Sequence, residues 1–487
     1  MTKPGDGYDH REALFGLPPY GGSIQQNIYY ADSTLCDSNT DYARGGYPTR
    51  PKDGSGKMAP WKAPFILMVD RGDCSFVVKV RNAQKAGAAA ALIADNVCLC
   101  NAGSSCTPES NMVYQECETK EPIMADDGSG ADITIPSFLL FKQDSDPIKA
   151  VLKQDKMVRA QMSWTLPAPD ARVEYELWST PKEPVSAPLK KNFREVAVAL
   201  GNHAQFTPHY YVYDGLFAGC RASDGTNQCY NLCTNNGRYC STDPDDDLDS
   251  GISGADVVTE SLRQICIWKE YGGDGVGLPW WDYVQEFEFR CDKDADAGKF
   301  FNNEECIKDA MSRSGVDYNK IQKCMDDSGG LEGDVENSVL EDELVNREMT
   351  GVLILPSFYV NQSPIRGALT VGETFEAVCS GFISGSEPDV CKHCNKCVDV
   401  DSCINIGYCP GSGSPNSVSV PVFAGSMGAV VICVVCIGLI QWQRSQRQMR
   451  AQVRGILAEY MPLDENNKVE SVGITEGEED EDGVELS

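Results

Sequence analysis

The sequence predicts an α/β protein with a cysteine-rich helical region, one membrane-spanning helix and a disordered tail. Three observations predict this. Short apolar runs alternate with helical stretches between residues 64 and 140, the pattern of strands joined by helices. There are 22 cysteines among 487 residues. A run of 23 residues, 418–440, carries no charge.

The first element is Pro64-Phe65-Ile66-Leu67-Met68-Val69-Asp70, which reads as a buried strand. Arg71-Gly72-Asp73-Cys74-Ser75-Phe76 is a turn, and residues 77–90 then read as a helix with small residues on one face. Further strands follow at 91–95 and 133–140. The turn with Asp70 in front, followed by Ala83-Gln84-Lys85-Ala86-Gly87-Ala88, resembles the signature of the protease-associated domain. The resemblance implies such a domain over residues 8–168. A fold name alone gives no function.

Residues 173–179 read as the next strand and 187–200 as an amphipathic helix. Much later, a strand over 351–361 runs through Leu355-Pro356-Ser357-Phe358-Tyr359-Val360-Asn361 and is followed by Arg366-Gly367. This resembles the cis-proline region of thioredoxin-like proteins, and Pro356 is expected to be cis. The expectation is a split thioredoxin-like domain over 169–380, with a cysteine-rich helical insertion over about 205–346. A redox member needs Cys-x-x-Cys between the first strand and its helix, where the helix N-terminus lowers the thiol pKa. Residues 179–186 there contain no cysteine. Cys391, Cys394, Cys397, Cys403 and Cys409 then crowd into 381–417, read as a short disulfide-bonded stalk. Zinc on Cys391, Cys394, Cys397 and His393 is the weaker reading, since lumenal thiols oxidise.

The run at 418–440, as a helix, covers roughly 34 Å, enough for a hydrocarbon core of about 30 Å. Arg444, Arg447, Arg450 and Arg454 follow it with no acid between them, which places the C-terminal side in the cytosol. The tail, 441–487, contains Tyr460-Met461-Pro462-Leu463 and ends in an acidic run, 476–485, that reads as solvated and disordered. Tyrosine, two residues and a bulky apolar residue form the pattern that clathrin adaptors take as an extended peptide.

Twenty of the cysteines precede residue 410, as expected of disulfides formed in the secretory pathway. Cys433 and Cys436 lie inside the apolar run. Residues 1–6 have no apolar core and form no signal peptide. A lumenal domain needs one, so the expectation is that the chain lacks its true start. A net charge of −30 repels phosphate and argues against nucleic acid. Neither His-Glu-x-x-His nor Gly-x-Ser-x-Gly occurs, which argues against a membrane protease. Nothing after Cys436 is Cys or His, so a ubiquitin ligase with a cytosolic zinc module is not expected. The histidines His10, His203, His209 and His393 are scattered, and His203 or His209 is at most a pH sensor. Asn361-Gln362-Ser363 is the only glycosylation sequon.

Other motifs extend the resemblance. They include Gly16-Leu17-Pro18-Pro19-Tyr20-Gly21-Gly22, Val173-Glu174-Tyr175-Glu176-Leu177-Trp178, Gln205-Phe206-Thr207-Pro208-His209-Tyr210, Gly237-Arg238-Tyr239-Cys240 and Trp280-Trp281-Asp282-Tyr283-Val284. With the tail motif, the chain resembles a plant-type vacuolar sorting receptor from about Gly16 to Asp464. The resemblance implies a type I membrane receptor that captures soluble cargo in the Golgi or trans-Golgi lumen, releases it in a prevacuolar or endosomal compartment, and recycles. It assigns cargo binding to Arg71, Gly72, Asp73, Cys74, Ser75 and Phe76, opposite a loop at Met124, Ala125, Asp126 and Asp127. It assigns clathrin-adaptor binding to Tyr460, Met461, Pro462 and Leu463, and no catalysis. It also implies epidermal-growth-factor-like repeats before the span. Asp399-Val400-Asp401-Ser402-Cys403 resembles the start of a calcium-binding one, with Asp399 and Asp401 as ligands. Ser402 departs from that pattern and the later half of the repeat is missing; the four cysteines between Cys98 and Cys117 depart from the family as well.

Overall fold

The computed structural model describes residues 7–36, 54–55, 62–96, 123–154, 156–292, 297–352 and 354–409. The apolar run 418–440, the tail motif at 460–463 and the cysteine insert 98–117 lie outside the described residues. No helix among the described residues is long and apolar enough to cross a membrane.

The first domain is built on a six-stranded sheet. Its strands are β1 (His10–Glu12), β2 (Ser23–Tyr30), β3 (Ile66–Asp70), β4 (Ala90–Ala94), β5 (Ser137–Leu140) and β6 (Val158–Ser163), in the order β1-β5-β4-β3-β2-β6. The four inner strands are parallel, and β1 and β6 pair antiparallel at the edges. Helices α1 (Phe76–Lys85) and α2 (Lys142–Leu152) cover opposite faces. Leu67, Val69, Ala91 and Ile93 pack on Val77, Val80 and Ala83 of α1. Ile66, Met68, Leu92 and Ala94 share the other core with Ile148 and Leu152 of α2. Burial on both faces explains why β3 and β4 read as continuous apolar runs rather than alternating ones.

The second sheet contains β7 (Val173–Ser179), β8 (Ala204–Tyr210), β12 (Ser357–Val360) and β13 (Ser363–Ile365), in the order β13-β12-β7-β8. Strands β7 and β8 are parallel, and β12 runs antiparallel to β7 directly after a cis Leu355–Pro356 bond. The expected thioredoxin-like arrangement is therefore present, with a different boundary. Gln205 lies inside the edge strand β8, and the insertion begins beyond Tyr210. The expected helix over 187–200 is two, α3 (Ala187–Asn192) and α4 (Arg194–Leu200), meeting at the buried Phe193.

The insertion starts with a small sheet of β9 (Tyr213–Asp214), β10 (Cys233–Thr234) and β11 (Tyr239–Cys240). It continues through α5 (Gly254–Tyr271), α6 (Leu278–Arg290), α7 (Ala297–Phe300), α8 (Glu304–Arg313), α9 (Tyr318–Asp327) and α10 (Ser338–Thr350). Ser253 and Asp256 form a capping box on α5, satisfying two otherwise orphaned N–H groups. Disulfides 220–229, 233–240, 266–324 and 291–306 staple it. Phe206 of β8 stacks on Trp281 of α6, with ring centroids 4.6 Å apart, and so joins insertion to sheet.

The segment expected as a stalk is folded instead. After α11 (Val371–Ser380) come α12 (Asp389–Cys394) and α13 (Val400–Ile406), linked by disulfides 379–391, 394–403 and 397–409. Their buried Cys391, Cys394, Val400 and Cys403 belong to the main core. These bonds consume the thiols that zinc would need at Cys391, Cys394 and Cys397.

The motifs at Gly16–Tyr20 and Arg366-Gly367 clamp the two sheets together. Arg366 N donates to Tyr20 Oη at 2.6 Å, and Gly367 N donates to the Ala13 carbonyl at 2.9 Å. Gly367 has φ +89°, and a Cβ there would lie 2.4 Å from Pro18 Cδ, so the closeness of the two chains requires glycine.

Candidate functional site

The Arg71–Phe76 turn leaves the C-terminal end of β3 and enters α1, where ligands collect in open α/β sheets. Ser75 caps α1 by accepting from Val78 N. Gly72 and Asp73 both take positive φ, which bends the turn outward.

The turn is anchored from beneath. Cys74 is bonded to Cys36, so it offers no thiol. Arg71 Nη1 lies 3.1 Å from both carboxylate oxygens of Asp95, a fully buried residue at the end of β4. Its guanidinium sits 6.0 Å from the Phe76 ring centroid. Lys79, fully buried on α1, donates to the Thr34 and Gly72 carbonyls. Thr34 Oγ1 donates to Asp73 Oδ2 at 3.0 Å, and Asn96 Nδ2 to the Arg71 carbonyl at 2.9 Å.

The facing loop is held differently. Met124 is 1% exposed and its carbonyl accepts from Leu14 N. This corrects the expectation that Met124 touches a ligand; it anchors the loop in the core. Ala125, Asp126 and Asp127 are exposed. Asp126 Oδ1 accepts from Gly128 N and Gly130 N, both at 2.9 Å. Gly130 leaves room for that carboxylate: a Cβ there would lie 2.7 Å from Asp126 Oδ2. Ser75 Oγ donates to Asp127 Oδ2 at 2.5 Å, so the two loops form one surface. Hydrogen bonds from Ser129 and Ser75 hold the Asp127 carboxyl below the ordinary range, and the Arg81 ion pair does the same for Asp132.

The surface therefore presents Asp73, Asp126 and Asp127 around a turn whose arginine is already partly engaged. It suits a peptide with a basic side chain. Sequence reasoning missed Lys79, Asp95 and Thr34, because a lysine or aspartate in an amphipathic pattern normally reads as solvated.

Two other expected sites change. Asn361 Nδ2, the atom a glycan would occupy, donates to the Ala168 and Gly381 carbonyls at 2.7 and 2.9 Å. Its Oδ1 accepts from Glu174 N at 3.0 Å. The residue is an internal clamp, which argues against glycosylation. Asp399 caps α13, accepting from Ser402 N and Ser402 Oγ at 2.9 and 2.7 Å. Asp401 lies in the first turn of that helix.

His209 is the most deeply buried of the histidines with a carboxylate partner among the described residues. Its Nδ1 lies 2.8 Å from Glu343 Oε2 of α10, its Nε2 3.9 Å from Glu176 Oε2 of β7, and Trp178 stacks on it at 4.4 Å. Burial lowers its pKa, but the Glu343 bond and both carboxylates outweigh this and raise it.

Comparisons agree with these domains. A family model described as "Vacuolar sorting receptor thioredoxin-like domain" matches residues 173–379, and a PA domain model matches 24–148. Vacuolar-sorting receptor 1 of Pisum sativum is 35% identical over 417 residues, 82% of this chain and 61% of that protein. Vacuolar-sorting receptors 4 and 3 of Arabidopsis thaliana are each 35% identical over 413 residues, 80% of this chain and 60% of those proteins. The chain thus spans about three-fifths of the length of these curated relatives. The chain carries a PA domain and a vacuolar-sorting-receptor-type thioredoxin-like domain, and along about four-fifths of its own length it is similar to these plant vacuolar-sorting receptors.

Proposed function

We propose that this chain is a vacuolar sorting receptor that binds soluble cargo through sorting peptides in the Golgi or trans-Golgi lumen. Cargo is bound at the surface made by Arg71–Phe76 and Ala125–Asp127. Residues 418–440 anchor the receptor as a type I protein. Tyr460, Met461, Pro462 and Leu463 recruit clathrin adaptors for delivery to a prevacuolar or endosomal compartment. It catalyses no reaction. The observation that carries this reading is the Ser75–Asp127 hydrogen bond, which turns two loops distant in sequence into one acidic, exposed face. The names of the relatives support the sorting role.

The cysteine-free segment at 179–186 fits a thioredoxin-like sheet used as a scaffold. Mechanistically, the turn offers a fixed backbone, and the carboxylates offer charge-assisted hydrogen bonds to a basic cargo residue. The full chain, immobilised in detergent, should retain soluble vacuolar proteins at pH 7. Retention no greater than on a blank matrix would sink the proposal.

A further inference from the structure

Val398, Ile406 and Tyr408 are 102%, 48% and 65% exposed. They belong to a module whose Cys391, Cys394, Val400 and Cys403 are buried. The Cys397–Cys409 disulfide holds its Cα atoms 5.6 Å apart. Val398 and Tyr408 are each the chain neighbour of one of these cysteines, so their Cα atoms lie no more than about 13 Å apart. Ile406 is two residues from Tyr408 and shares that corner. A disulfide thus fixes three exposed apolar side chains at the end of the domain, where no described residue covers them.

The position in the chain identifies what covers them. Cys409 is the last described residue, and the uncharged run begins at 418. The eight residues between them reach at most about 29 Å when extended. The corner is therefore tethered within reach of the headgroup layer. Tyrosine sits readily at that level, with aliphatic side chains just below. The tether makes the contact intramolecular, so a small apolar area suffices. The nearby charges are mixed: Lys392 pairs with Asp389, Lys396 is exposed, and so are Asp399 and Asp401. Such a set gives no preference for anionic lipid.

We propose that Val398, Ile406 and Tyr408 form a foot that rests on a zwitterionic lipid surface and sets the lumenal domains against the bilayer. This rests on the reading of 418–440 as a membrane span. The test uses the full chain with a protease site placed in the 411–417 linker, one copy per phosphatidylcholine nanodisc. Hydroxyl-radical footprinting is done before cleavage, and again after cleavage and removal of the discs. Tyr408 oxidation should rise at least threefold on release. Phe217 and Tyr230, 92% and 80% exposed on the insertion, should change little. In the intact disc, Val398→Asp with Ile406→Asp should bring Tyr408 to its released level. Unchanged Tyr408 oxidation overturns the proposal. So does protection that survives release, which means a protein contact, and so does an equal rise at Phe217 and Tyr230. A chain that never enters nanodiscs overturns the span reading, and the foot with it.

Discussion

The cargo face and the central domain answer acid in opposite ways. On the face, hydrogen bonds and an ion pair hold Asp127 and Asp132 below the ordinary carboxylate range, so both stay charged through mildly acidic pH. Two groups of the central domain shift the other way. His209 is raised by Glu343 and Glu176 against the effect of burial. Glu373 of α11 is pushed up to about 7, by burial first and then by Glu376. Its Oε2 is buried without a hydrogen-bond partner among the described residues. These two groups sit beside the insertion and near the clamp between the sheets; His10 of β1, raised chiefly by its hydrogen bond to Glu12, is a further one in the first domain. The face that would hold cargo keeps its charge.

The largest effect is expected where the face is anchored. Arg71→Ala leaves the fully buried Asp95 without its guanidinium. It should cost about 2 kcal/mol, less than a fully buried pair because Arg71 is 31% exposed. Chemical denaturation should show the loss; an unchanged midpoint would mean the pair is solvated. Lost cargo binding in this variant would consequently reflect anchoring as well as contact.

A smaller effect, confined to pH, is expected from His209→Gln. A histidine whose folded pKa is raised stabilises fully below its unfolded value of 6.5 and less as pH rises through the folded one. Wild type should lose more thermal stability between pH 6 and pH 8 than the variant; parallel profiles would contradict the assignment. Glu373 adds in the same direction. Its contribution is full below 4.5 and is lost as pH rises through about 7. On both counts acid strengthens the central domain, which argues against cargo release by unfolding.

Much of the fold was legible because it rests on local signals. The buried strand at 66–70 and the cis Pro356 ahead of β12 each follow from a few adjacent residues. The insertion boundary was not. Ala204–Tyr210 carries a proline, a histidine and a glutamine, and only its pairing with β7 makes it a strand. The cysteines from Cys391 onward suggested a stalk, since spacing does not reveal that helices bury them. At the site, the exposed residues were readable from motifs. Lys79 and Asp95 were not, because their burial depends on the turn folding back over them. Met124 was misplaced for the converse reason: a loop residue can point inward.

The most direct test is cargo affinity at pH 7 for wild type and for Asp126→Asn with Asp127→Asn. Asparagine at 126 keeps an oxygen for the Gly128 and Gly130 N–H groups, at 127 it keeps one oxygen that can accept from Ser129 or from Ser75 but not from both, and at both positions it removes the charge. Both positions are exposed, so stability should change by no more than about 0.5 kcal/mol. The account predicts at least tenfold weaker binding at unchanged melting temperature. Equal affinity in the two proteins would contradict it and place cargo elsewhere.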